Sequence, residues 1–244
     1  MANERLRAAL LQRGVTPDEL AEAVGVDRKT IERWIGGRKP YPRLRYEAAR
    51  KLGMDEAYLW PGARTPDEVA SASESEILLV HPHRWSVPQD VWRQFFDSAK
   101  EEIGVLVYSG MFLVDDPGTT AKIRARAEDG IKIRMLLGDP DSAAVAERGQ
   151  HEGIDDSLAA KIRNAIVYFR GLRSIDSFEM RLHSTILYNS IYRADNDLLV
   201  NSHIYGTPAT ESPVMHLRRV AGGTMVTTYL KSFERVWSEA RPID

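Results

Sequence analysis

The side chains best suited to chemistry lie in one stretch, RLHSTILYNSIYRADNDLLVNSHIYG, residues 181–206. His183 stands on a run of alternating β-formers. A turn follows, and a second β-rich run ends in Asn201, Ser202 and His203. An imidazole can act as nucleophile, proton carrier or ligand near neutral pH. The pattern fits an active site, the ligand-binding remains of one, or a hairpin with a satisfied core histidine.

Other candidates are weaker. His81-Pro82-His83 spaces two imidazoles as strand neighbours on one face, but no third ligand is grouped with them and Pro82 marks a turn, so no metal is expected. GDPDS at 138–142 follows a strand pattern and reads as a turn in preference to an anion-binding helix start. The chain has no Gly-rich nucleotide fingerprint, no Gly-x-Ser-x-Gly elbow and no repeat. With no cysteine, disulfides and thiolate metal sites are excluded, and no cofactor is expected.

A second chemically apt group is basic: Arg28, Lys29, Thr30 and Arg33, followed by Arg38 and Lys39. Residues 1–60 carry 12 Lys/Arg against 9 Asp/Glu, and the remainder 21 against 26. A slightly basic front thus joins an acidic body, although the net charge is −2, and that sign suits a DNA-binding head. No apolar run approaches the ~18 residues that span a bilayer, and the N-terminus lacks a signal peptide's apolar core. A cytoplasmic protein with no membrane partner is expected.

The front elements follow from local signals. Leu6, Leu10 and Leu11 have helical spacing up to Gly14. Thr16-Pro17-Asp18-Glu19 is a capping box with proline at the first helical position. Leu20, Ala21 and Val24 form an apolar face, Gly25 breaks the helix, and Asp27 caps the next, with Ile31, Trp34 and Ile35 inward and Gly36-Gly37 at its end. Counting from Pro17, a small residue stands at five (Ala21), glycine at nine (Gly25), and apolar residues at four, eight, ten, fifteen and eighteen. Two helices joined by so short a turn need a small residue where they cross and one tolerating positive φ between them.

This segment resembles the lambda-repressor-like (XRE) helix-turn-helix family over roughly residues 3–60. The resemblance implies double-stranded operator DNA as partner, read by a homodimer, with the second motif helix in the major groove. It assigns Arg28, Lys29, Thr30 and Arg33 to base or phosphate contacts, and Thr16, Arg38 and Lys39 to phosphates. Many members begin the first motif helix with a polar DNA-contacting residue, and Pro17 stands there in this chain.

Residues 61–75 have linker composition, although DEVASA can form a helical turn. Beyond them strands and helices alternate. ILLVHP reads as a short buried strand. Val91, Trp92, Phe95, Phe96 and Ala99 share a helix face. IGVLVYSG and IKIRMLLGD read as strands, residues 155–170 as an amphipathic helix, and the chain after 176 as β-rich up to a final helix. The expected fold is an all-α helix-turn-helix N-terminal domain (1–63), a linker (64–76), and an α/β C-terminal domain (77–244) with a mixed sheet flanked by helices.

The body resembles one half of the phospholipase D-like fold over roughly residues 77–242, through the strand-borne His183, the hairpin and return strand after it, and the closing Phe233-x-x-x-Trp237 helix leading to Pro242. The family pattern is His-x-Lys-x4-Asp, then Gly-Ser-x-Asn. In it the histidine attacks phosphorus while Lys and Asn stabilise the nonbridging oxygens, and single-motif members complete the site with a dimer partner. Here His183 matches the nucleophile, but Thr185 and Ser190 stand at the Lys and Asp positions. Asn201-Ser202 replaces Gly-Ser, and Ile204 the asparagine. Arg181 or Arg193 would have to supply the missing charge. The expectation is a regulator that is not an enzyme, whose body dimerises and senses a small anionic or sugar effector through His183, Thr185, Ser190, Asn201 and Ser202. The alternatives are a DNA-targeted phosphodiesterase using His183 and a body that binds a partner protein.

Overall fold

The computed structural model describes residues 2–63 and 66–243. They form two compact units. One runs up to Glu76 and takes in Val220–Thr227; the other comprises Ile77–Arg219 and the chain from Thr228 onward.

The first unit is helical among the described residues: α1 (Glu4–Arg13), α2 (Pro17–Val24), α3 (Arg28–Ile35), α4 (Pro42–Leu52), α5 (Glu56–Leu59) and α6 (Pro66–Glu74). Its boundaries are set by nearby side chains. The Thr16 hydroxyl accepts the Glu19 amide at 3.2 Å, and the Glu19 carboxylate accepts the Thr16 amide at 2.7 Å, which completes the expected capping box. Gly25 ends α2 with φ 69°, where a side chain would be strained. Asp27 then caps α3 by accepting the Thr30 amide at 2.8 Å. Leu6, Leu20, Ala21, Val24, Ile31, Trp34, Leu52 and Leu59 close the core. Arg45, its one buried cation among the described residues, is paired with Glu56 at 2.8 Å and donates to the Pro40 carbonyl, which meets the need of a buried charge for partners.

The stretch expected as linker, 64–76, carries α6; residues 64 and 65 lie outside the described residues. In sequence Pro66-Asp67-Glu68 repeats the Pro17-Asp18-Glu19 start of α2. At the unit's end the fully buried Glu76 carboxylate accepts the Met225 and Val226 amides at 2.7 and 3.2 Å. A negative group there complements a helix start.

The second unit is built on a mixed sheet, eight-stranded among the described residues. Its strands are β1 (Ile77–His81), β2 (Glu102–Leu106), β3 (Lys132–Gly138), β4 (Phe178–His183), β5 (Asn189–Ala194), β6 (Asp197–Ser202), β7 (Val214–Arg218) and β8 (Arg241–Pro242), in the order β1-β7-β6-β5-β2-β3-β4-β8. β2, β3 and β4 are parallel, joined through α8 (Met111–Asp115), α9 (Pro117–Glu128), α10 (Ala143–His151) and α11 (Ser157–Phe169), as parallel neighbours require a crossover. α7 (Gln89–Asp97) precedes β2, and α12 (Met225–Glu239) precedes β8. β5, β6 and β7 form an antiparallel meander beside β2. The turn residue Asp195, at φ 53°, accepts the amides of Lys100, Glu101 and Glu102, which pins the start of β2 to the β5–β6 hairpin.

The expectation that ILLVHP is buried is corrected. β1 is an edge strand whose Ile77, Leu78, Leu79 and Val80 are 38–52% exposed. An apolar run of this length reports strand character, and its place in the strand order decides its burial. The central strands are buried as expected, from Ile103 through Leu106 and Ile133 through Leu137. Buried Arg134 lies between Glu102 and Glu234 and over the rings of Phe233 and Trp237, and Arg193 joins Glu102 at 2.9 Å. No described helix is long and apolar enough to cross a membrane.

Candidate functional site

His183 ends β4 and is 2% exposed. Its Nε2–H donates to the Val107 carbonyl at 3.1 Å, and Nδ1 accepts the Thr185 amide at 3.3 Å. That pair of partners describes a neutral imidazole. Burial pushes its pKa below the ordinary histidine value, against the smaller opposing effects of these bonds and of Asp139. The Nδ1 lone pair a nucleophile would use is committed to backbone, and His183 is absent from the linings of the cavities described below. Neither arginine supplies the missing lysine charge: Arg181 pairs with Glu179 at 2.7 Å and lies over Trp237, while Arg193 belongs to the Glu102 cluster.

Asn201, fully buried, donates from Nδ2 to the carbonyls of Ser212 and Pro213, each at 3.1 Å, and so braces β6 against the segment leading into β7. Thr185 and Ser202 are half-buried and line neither cavity. Of the five residues proposed from sequence as ligand contacts, Ser190 alone lines one.

That cavity, about 240 Å³, brings Ser190 together with Arg84, Tyr108, Phe112, Tyr192 and His203. Ser190 is the second residue of β5, opposite Asn201, and His203 follows the end of β6. The hairpin therefore folds the imidazole back onto the hydroxyl. Ser190 donates to His203 Nε2 at 3.0 Å, and His203 Nδ1–H donates to the Leu187 carbonyl at 3.1 Å. Burial, helped by the nearby Arg148 charge, pushes the His203 pKa down to about 4, so the ring is neutral at physiological pH. Tyr108 stacks on His203 with ring centres 5.8 Å apart and accepts the Leu187 amide at 3.0 Å. Tyr192 is fully buried, and its hydroxyl has no hydrogen-bond partner of good geometry, with Arg84 and Ser190 its polar neighbours. A second cavity, about 270 Å³, shares Tyr108 and His203 and is flanked by Tyr188 and Tyr205, 81% and 79% exposed.

The sequence reading singled out Ser190 but none of Arg84, Tyr108, Tyr192 and His203 as ligand contacts. For His203 a signal existed, because it follows Asn201-Ser202 on the return run. For Arg84, more than a hundred positions from Ser190, none did.

In the helical unit, α3 presents Arg28, Lys29 and Arg33 to solvent. Arg28 is held by Asp18 at 3.1 Å and Glu32 at 2.9 Å. The Thr16 hydroxyl is engaged by Glu19 and that of Thr30 by Asp27, and Lys39 donates to the Gly62 carbonyl at 3.0 Å. Lys29, Arg33 and Arg38 are exposed and form no side-chain hydrogen bond or ion pair among the described residues. The resemblance treated seven residues alike; the structure separates three available cations from four groups already engaged.

A family model described as a domain of unknown function (DUF5919) matches residues 75–244. The HTH-type transcriptional regulator PrtR of Pseudomonas aeruginosa is 27% identical over 155 residues, 59% of this chain and 56% of that regulator, so the match spans little more than half of its length. Among solved structures, the phospholipase D family member Nuc from Salmonella typhimurium is similar at 18% identity and a TM-score of 0.39, over 64% of this chain and 90% of that one. The archaeal chromatin protein TrmBL2 is similar at 15% identity and a TM-score of 0.43, over 99% and 93%.

Proposed function

The chain belongs to the DUF5919 family, a domain of unknown function, and since that membership brings no activity with it we propose one from the residues: a sequence-specific DNA-binding transcriptional regulator of the XRE type. The observation that carries the reading is the α2–turn–α3 pair, with Lys29 and Arg33 on the exposed side of its second helix and Arg38 just beyond. A helix so presented fits the major groove, where arginine reads guanine edges and lysine neutralises phosphates. The likeness to a regulator of the helix-turn-helix type supports it. A homodimer follows from the two-fold sites such heads read. The body is then a sensor that takes a small ligand in the cavity beside Ser190 and favours one conformation of the dimer by binding the two unequally.

The reading treats the body as non-enzymatic, because both ring nitrogens of His183 are taken up by backbone groups. Assay of the full chain with an activated phosphodiester tests this. Turnover that disappears in His183→Ala would sink it.

The DNA-binding part is tested by selecting duplexes from a random pool and measuring affinity by gel shift. Arg33→Ala should weaken binding to the selected duplex by about 10-fold or more, and Lys29→Ala should lower the salt dependence by about one counterion. Arg28→Ala should do less, since Asp18 and Glu32 already occupy its guanidinium. Wild-type affinity in both Arg33→Ala and Lys29→Ala would rule out this docking.

A further inference from the structure

We propose that the cavity beside Ser190 takes a small molecule with one carboxylate and an apolar body, its carboxylate on Arg84 and the Tyr192 hydroxyl; this rests on the reading of the body as a ligand sensor.

Charge is the first argument. Among the described residues no carboxylate lies within ion-pair distance of Arg84, whose guanidinium sits over the Phe112 ring, 4.4 Å from its centre. A partly buried guanidinium ordinarily has an anion to pair with, and its planar fork matches a carboxylate. Of the two acids lining the cavity, Glu152 is neutralised by Arg148 and Asp115 is exposed. Lys161, also on the lining, is exposed and without a partner among the described residues. Arg84 and Lys161 against Asp115 leave one net positive charge, which suits a monoanion better than a dianion.

The hydrogen-bond inventory is a second and independent argument. Tyr192 lines the cavity, and its buried hydroxyl, beside Arg84 and Ser190, makes no hydrogen bond of good geometry among the described residues. An unmet buried donor is costly, and a ligand oxygen would relieve it. Ser190 has spent its proton on His203, and the neutral His203 has none left facing Ser190. Arg84 and the Tyr192 hydroxyl adjoin one another on the lining, and Lys161 is the other unpaired cation there among the described residues.

Shape decides the remainder. Val107, Met111, Phe112, Ile154 and Leu158 make up much of the lining. A dry apolar cavity of about 150 Å³ takes benzene. About 240 Å³ thus suits a ring or short alkyl chain bearing a single carboxylate.

Titration calorimetry of the full chain with benzoate and hexanoate, and separately with inorganic phosphate and glucose, tests the assignment. The carboxylates should bind and phosphate and glucose should not. Arg84→Gln should weaken benzoate or hexanoate by about 10- to 100-fold, the range for a hydrogen bond to a charged group. Tyr192→Phe, which keeps the ring and removes the donor, should weaken it by about 5- to 10-fold and decides the matter if Arg84→Gln does not fold. Failure of both carboxylates to bind the wild type, unchanged affinity in folded Arg84→Gln or in Tyr192→Phe, or preferential uptake of phosphate or glucose each overturns the assignment. Duplex binding without ligand is measured in parallel. Duplex binding without carboxylate binding removes this inference alone, and carboxylate binding without duplex binding removes the regulator and leaves the cavity's ligand in place.

Discussion

The helical unit and the sheet-bearing unit satisfy their polar groups in opposite ways. In the first, partners are mostly close in sequence: Thr16 with Glu19, Asp27 with Thr30, Arg28 with Glu32, Arg43 with Glu47. In the second the buried ones come from far along the chain: His183 with Val107, Leu187 with Tyr108, Arg134 with Glu102 and Glu234. Local partners are largely solvent-exposed, so each contributes little and each is replaceable. Distant partners are buried, so removing one strands the other away from water. The helical unit is thus specified by many small local choices, and the other by a few long-range ones.

The strongest challenge to this contrast is Arg134→Ala. It leaves Glu102 with Arg193 alone and should destabilise the sheet-bearing unit by about 3 kcal/mol, the low end for a broken buried pair because Arg193 stays beside Glu102 and Glu234 is half exposed. Denaturant unfolding of the full chain followed by tryptophan fluorescence measures it, and a loss no larger than that of an exposed pair would break the distinction.

Acid should separate the units next. All six histidines lie at or beyond His81, and burial lowers the pKa of His183, His203 and His216. A folded pKa below the unfolded one means that the unfolded chain binds more protons as pH falls. Stability from the neutral folded ring is therefore full above pH 6.5 and lost progressively toward the folded value, about 4 for His203. The loss for that residue is on the order of 3 kcal/mol. Calorimetric unfolding from pH 7 to 4.5 should show the sheet-bearing unit's transition falling, with a shallower slope in His203→Gln. An identical slope in that variant would remove His203 as the source.

Thr16→Ala removes a cap and should cost about 1 kcal/mol in the helical unit alone, read by helical circular dichroism during denaturation. The smallest effect belongs to Arg28→Ala, whose two ion pairs are exposed and whose loss should leave the denaturation midpoint within experimental scatter. A midpoint shift matching that of Arg134→Ala would erase the contrast from the other side.

The sequence by itself determined most of the helical unit, because its caps, left-handed glycine and apolar spacing act within a turn or two of the residues that carry them. Even α6, expected as linker, carries a readable start in Pro66-Asp67-Glu68. In the other unit the sequence determined that 178–202 is β-rich with a turn at Asp195-Asn196, a local signal as well, but it showed one run where the structure has β4 and β5 separated at 184–188. It did not determine what those strands hold. His183 looked like the centre of a site, and tertiary structure tied it to Val107; Ser190 looked like a vacated acid position, and tertiary structure paired it with His203 beside Arg84. Side-chain alternation along a strand gives the face, whereas strand order and the distant loops that cover an end decide which residues meet there, and no local pattern encodes that order.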